Sequence, residues 1–122
     1  MTAFADLAFI DGQNAARTPY LTPREVSAQI EAAIRALRNV AYYCAVENKV
    51  ARASSIGHAR DVLRMLANAI ANDAANPVPG NLKKLLTFMI YSLEAVNRTN
   101  NPEAAQECIA MLEPLRAAFA SL

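Results

Sequence analysis

Few side chains in this sequence are equipped for chemistry, and their spacing does not favour it. His58 is the only histidine, and the two cysteines, Cys44 and Cys108, stand far apart. One histidine and two distant thiols make a poor zinc set, so the cysteines read as buried structural thiols. A di-iron centre in a helical bundle needs two Glu-x-x-His units, which are absent. Ser54 or Ser55, His58 and Asp61 offer the residue types of a hydrolytic triad. All of them fall on one helix with nothing to form an oxyanion site. Three scattered glycines cannot cradle a phosphate. The sharpest chemical alternative is phosphate acceptance by His58 on a helical bundle. Phosphotransfer domains usually carry lysine and glycine just after the histidine, whereas Ala59, Arg60 and Asp61 follow here. The expectation is a non-enzyme with no cofactor and no metal.

The composition narrows the remaining classes. The chain has 122 residues, a length typical of one domain, and it is 54% hydrophobic, with 26 alanines, three glycines and no tryptophan. Abundant alanine and scarce glycine favour helix throughout. Twelve basic against eleven acidic side chains leave +1, so no global field draws nucleic acid or an anionic membrane. Six cations between Arg35 and Arg64 are interleaved with Glu47 and Asp61, which reads as a solvated face. The longest uncharged apolar run, Leu85 to Leu93, is far short of the ~20 residues that span a bilayer. Asp6 and Asp11 replace the basic start of a signal peptide, and two thiols without an export signal point to the cytoplasm.

Positioning then falls to helices. Residues 1–21, with Phe4, Leu7, Phe9 and Ile10, read as a mobile arm that docks on the body. Residues 22–122 read as the folded domain. Thr22-Pro23-Arg24-Glu25 is a capping box with proline at the first helical position. Behind it Val26, Ile30, Ala33, Leu37, Val40 and Cys44 step by four and three, and Glu47–Lys49 end the helix. A second helix is expected from about Val50 to Asp73 on the stripe Ile56, Ala59, Leu63, Leu66 and Ile70. Residues 74–80, with two prolines and a glycine, read as a loop. The third helix is expected from Asn81 to Asn97 on Leu82, Leu85 or Leu86, Met89, Leu93 and Val96. The fourth is capped by Asn101, runs on Ala105, Cys108, Ile109, Leu112, Leu115 and Phe119, and is kinked by Pro114. Short connections make neighbours antiparallel, so the expected architecture is an all-α, up-down-up-down four-helix bundle.

An apolar surplus remains. Ile34, Tyr42, Tyr43, Val46, Phe88, Ile90 and Tyr91 fall off these stripes. They are either boundary residues between helices or a surface that must be covered. The covering group would be the arm, a second copy of the chain, or a partner's amphipathic helix. A self-associating structural or regulatory bundle therefore stands beside a client-binding one.

The segment from Asn81 to Phe119 resembles the second half of the FliS family of flagellar secretion chaperones. Asn81-Leu82, Leu85, Phe88-Met89, Leu93, Asn97, Asn101, Met111-Leu112, Leu115-Arg116 and Ala118-Phe119 fall at that family's spacing. Thr22-Pro23-Arg24-Glu25-Val26 is similar to its opening, and Ile30 and Ile56-Gly57-His58-Ala59 agree more loosely. The sequence departs from the family where Glu31-Ala32-Ala33 replaces Tyr-Asp-Gly, Leu86 a tyrosine and Phe119 a tryptophan.

The resemblance implies a bundle that binds the disordered C-terminal region of flagellin in the cytosol, blocks premature polymerisation and keeps it exportable. Other flagellar regulators can share such a surface. The client groove is expected along the first and third helices, at Tyr20, Leu21, Ile34, Leu85, Phe88 and Ile90, with core packing the alternative for each. Phe9 and Ile10 of the arm would cover that groove when no client is bound.

Overall fold

A computed structural model describes residues 21–70 and 77–122, which form four helices: α1 (Pro23–Ala45), α2 (Lys49–Ala69), α3 (Pro77–Thr99) and α4 (Glu103–Ala120). No strand occurs among the described residues. The chain is all-α and packs as the expected four-helix bundle.

Local chemistry sets the helix ends. Thr22 Oγ1 accepts from the Glu25 amide at 3.1 Å, and the Glu25 carboxylate accepts from the Thr22 amide at 3.4 Å. With Pro23 in the first turn, this is the expected capping box. Helix α1 stops at Ala45, and Glu47 turns the chain with φ 56°, the left-handed region that glycine usually occupies. Asn48 then caps α2 by accepting from the Ala51 amide at 3.1 Å. Asn101 accepts from the Glu103 amide at 3.0 Å, but the N-cap position of α4 falls to Pro102, one residue later than expected and without a side-chain cap bond. That helix continues through Pro114, where the lost bond falls at exposed Ala110, whose carbonyl water can serve.

Two boundaries differ from expectation. Helix α3 begins at Pro77, four residues before Asn81, so Pro77 to Gly80 are helical. The first four amides of a helix have no intrahelical acceptor, so Pro77 and Pro79 in that turn forfeit nothing. Helix α2 ends at Ala69, short of Asp73; Ile70 is extended and buried, and its carbonyl accepts from Lys83 Nζ at 3.3 Å.

Packing follows the stripes. Helix α1 lies mainly against α2 and α4, α2 also against α3, and α3 meets α4 along the sparsest seam. The starts of α1 and α3 gather with the ends of α2 and α4, which makes neighbours antiparallel and places α1 diagonally across from α3. Every residue of the first two expected stripes is buried. Ile34 and Ile90 join them in the core, widening the stripes of α1 and α3 towards neighbouring helices.

The opposite end is closed by polar bonds. Arg52, only 4% exposed, donates from Nη1 to the Asn100 side chain and from Nη2 to the Asn97 carbonyl at 3.0 Å. Asn100, at φ 55°, also donates from Nδ2 to the Cys44 carbonyl at 3.2 Å. The end of α1, the start of α2 and the end of α3 are thereby tied together.

Arg52→Met is expected to cost about 1.5–3 kcal/mol in urea unfolding, the range for hydrogen bonds to a charged group, and Arg52→Lys to restore little because an ammonium lacks the fork. Leu63→Ala, at a fully buried core position, is expected to cost about 2–5 kcal/mol by the same measurement.

Burial pushes the Cys108 thiol from 9.0 up to about 11, with Glu107 adding to the effect. Between those values the folded chain holds a proton that the unfolded chain has lost, so this thiol's contribution makes stability fall as pH rises from 9.0 towards 11. Urea midpoints across that range should decline less steeply in Cys108→Ala.

Candidate functional site

The chemically equipped residues do not converge on a site. His58 and Asp61 are exposed on α2, with Ser54 exposed and Ser55 half-buried on the same helix. Cys44 and Cys108 are free and buried, on α1 and α4. Burial raises both thiol pKa values, Arg52 partly offsetting the rise at Cys44. Such thiols are poor nucleophiles at neutral pH. No cluster of three or more histidine, cysteine or acidic side chains suited to a metal occurs among the described residues.

The distinctive surface is apolar and lies at the end of the bundle where the chain enters α1. A recess there is lined by Leu21, Val26 and Ile30, by Leu66 and Ile70, by Leu82 and Leu86, and by Leu115 and Phe119. Each helix contributes the terminal residues of its stripe. The wall is wholly apolar, so it offers an entering side chain burial and no hydrogen bond, and its free volume is small, about 30 Å³. Leu82 and Leu115 are half-buried at its edge.

A second apolar feature lies on the outside of α3. Phe88 is 59% exposed and Tyr91 68%, one turn apart. On α1, Tyr42 and Val46 are also exposed, and Tyr42 makes an edge contact with Tyr43 at 5.3 Å between ring centroids.

The residues nominated from the sequence do not form one groove. Helices α1 and α3 are diagonal in the ring, with α2 and α4 between them, so no continuous groove joins them. Ile34, 1% exposed, is packed inside the bundle, and Ile90 is buried. Leu85 is half-buried against the core, and Phe88 is exposed on a different face from the recess. Leu21 alone lines the recess. Tyr20, Phe9 and Ile10 lie outside the described residues. The recess residues were readable as the first or last members of each stripe. An antiparallel ring must bring those members to the same end.

Among the described residues no helix is long and apolar enough to cross a membrane. No curated protein and no solved structure matches the chain. A family model described as flagellar protein FliS matches residues 22–122, from the cap of α1 through the whole bundle. With its helix order, caps and stripes accounted for, the chain belongs to the FliS family.

Proposed function

We propose that this protein is a cytoplasmic, non-enzymatic flagellar export chaperone whose client is the disordered C-terminal region of flagellin. Membership of the FliS family supports the chaperone role. The observation that carries the reading is the recess of apolar side chains drawn from all four helices. A disordered segment that becomes helical on binding can insert its apolar anchors there and meet its ordering cost in the same event. The result is an affinity moderate enough for release to the export machinery, with the polymerising end of flagellin held away from other flagellins.

Leu21, the first described residue, lines the recess. In this reading the apolar residues of the segment before it, Phe9 and Ile10 among them, occupy the client surface in the free protein and yield to flagellin. The client surface is thus shifted from the groove expected between the first and third helices to the recess and its rim, with Leu21, Leu82 and Leu115 as contact residues.

Calorimetric titration with the C-terminal region of flagellin should give saturable one-to-one binding with a large negative heat-capacity change. Absence of heat and of any gain in helicity would remove flagellin as the client. Deleting residues 1–18 should tighten that binding, and an unchanged or weaker affinity would argue against the covering role of the arm. Leu82→Glu should weaken it about tenfold or more, a loss of about 1.4 kcal/mol, with the helical circular dichroism of the free protein retained.

A further inference from the structure

Helix α3 carries two stripes. The inward one is Leu82, Leu86, Met89, Leu93 and Val96; the other is Lys84, Phe88, Tyr91, Ala95 and Arg98, with the same four-three-four-three spacing on the opposite face. The outer stripe has clear borders. On its α2 side lie Lys83, bonded to the Ile70 carbonyl, and Glu94, paired with Arg60 at 3.6 Å. On its α4 side Ala95 and Thr99 border a shallow depression shared with Glu103 and Glu107. Between these borders Lys84, Phe88, Tyr91 and Arg98 are exposed and Ala95 half-buried. The bundle already buries the inward stripe, so its stability does not account for two large aromatics one turn apart in water.

We propose that this outer stripe of α3 is a docking face for an amphipathic helix of a protein partner, separate from the recess. The partner carries apolar anchors at i, i+3 or i+4 and i+7 over Phe88, Tyr91 and Ala95, and acidic side chains that meet Lys84 and Arg98. The stripe is ~21 Å long at 1.5 Å per residue, about the reach of a four-turn helix.

Charge selects this occupant over a second copy of the chain. A cation stands at each end of the stripe, and neither forms an ion pair among the described residues. Two copies of α3 laid face to face bring cation against cation in either direction: Lys84 meets Arg98 when antiparallel, and each meets itself when parallel. Glu103 and Glu107 adjoin the stripe on its Ala95 side, away from Lys84 at the other end. A helix with acidic ends removes the repulsion and covers both rings.

The test uses the full chain and two synthetic helical peptides with leucine at the anchor positions, one ended by glutamates and one by lysines, read by fluorescence anisotropy. The glutamate-ended peptide is expected to bind at least tenfold more tightly than the lysine-ended one, more weakly as salt rises, and equally well when the flagellin C-terminal segment is already bound. Phe88→Ser with Tyr91→Ser should reduce its affinity at least tenfold at unchanged helicity. Lys84→Glu with Arg98→Glu should invert the preference between the two peptides. The proposal is overturned if the peptides bind alike, if the variants leave binding unchanged, or if flagellin competes for the face. It is equally overturned if sedimentation shows a dimer of the chain that Tyr91→Ser dissociates, since the occupant would then be a second copy. The peptide preference, the effects of the two double variants and the sedimentation result do not depend on whether flagellin binds the recess.

Discussion

The structure depends on one geometric constraint: four helices, joined by short turns, must each turn an apolar stripe towards a shared axis. Short turns force neighbours to run antiparallel, so α1 and α3 begin where α2 and α4 end. Interior positions of the stripes then meet side chains from both neighbouring helices and disappear into the core, as Leu37, Leu63, Leu93 and Leu112 do. Terminal positions have neighbours on one side only. At the end where the chain enters, those positions are Val26, Ile70, Leu82 and Phe119, and among the described residues they line a small apolar recess. The proposed client surface is therefore a consequence of the same arrangement that makes the core.

The two ends of the bundle solve that problem in opposite ways. At one, Arg52 reaches under the turn between α1 and α2 and satisfies the end of α3, while Asn100 satisfies the end of α1. Helix C-termini leave carbonyls without intrahelical donors, and a buried guanidinium serves them with a geometry that apolar packing cannot supply. Asn100 adopts a left-handed backbone conformation that asparagine tolerates better than most residues, which puts both ends of its amide to use. At the other end Lys83 serves the Ile70 carbonyl and Ser27 the Arg116 carbonyl, and leucine, isoleucine, valine, alanine and phenylalanine side chains form the remaining wall. One end is pinned by directional bonds; the other is held by contacts that an incoming apolar group can extend.

Much of this was legible in the sequence, and the failures share a cause. The capping box at Thr22, the bond from the Glu103 amide to Asn101 and the central stripes are local patterns, each decided by a few neighbouring residues; the box and the stripes emerged as expected, and the cap of α4 moved one residue on, to Pro102. Ile34 and Ile90 looked like surplus because a stripe one residue wide is too narrow for a helix with two neighbours. Such a helix buries an arc of about 100° or more. Phe88 and Tyr91 looked like surplus by the same rule and are exposed, because they lie on the far side of α3. Periodicity gives a residue's angle about its own helix but not which neighbour sits at that angle. The groove expected along α1 and α3 failed on that missing fact, since parallel helices in the ring are diagonal ones. Pro77 and Pro79 misled for a different reason: proline ends a helix from inside but begins one without penalty.

The sparse seam between α3 and α4 joins these observations to function. Helix α4 contributes Leu115 and Phe119 to the recess and α3 contributes Leu82 and Leu86, so the recess is bounded in part by the least tightly packed pair of helices. Helix α1 is packed on both sides and tied to α4 by the bond from Ser27 to the Arg116 carbonyl. Under the proposed function, a recess with one densely packed wall and one sparsely packed wall suits a chaperone that must accept a folding segment and later release it. The dense wall limits the ordering cost to the client's own residues, and the sparse wall keeps complementarity short of the point at which dissociation becomes slow. Leu86 and Phe119, two positions at which the sequence departs from the pattern it resembles, both line the recess, one on each helix of that sparse seam.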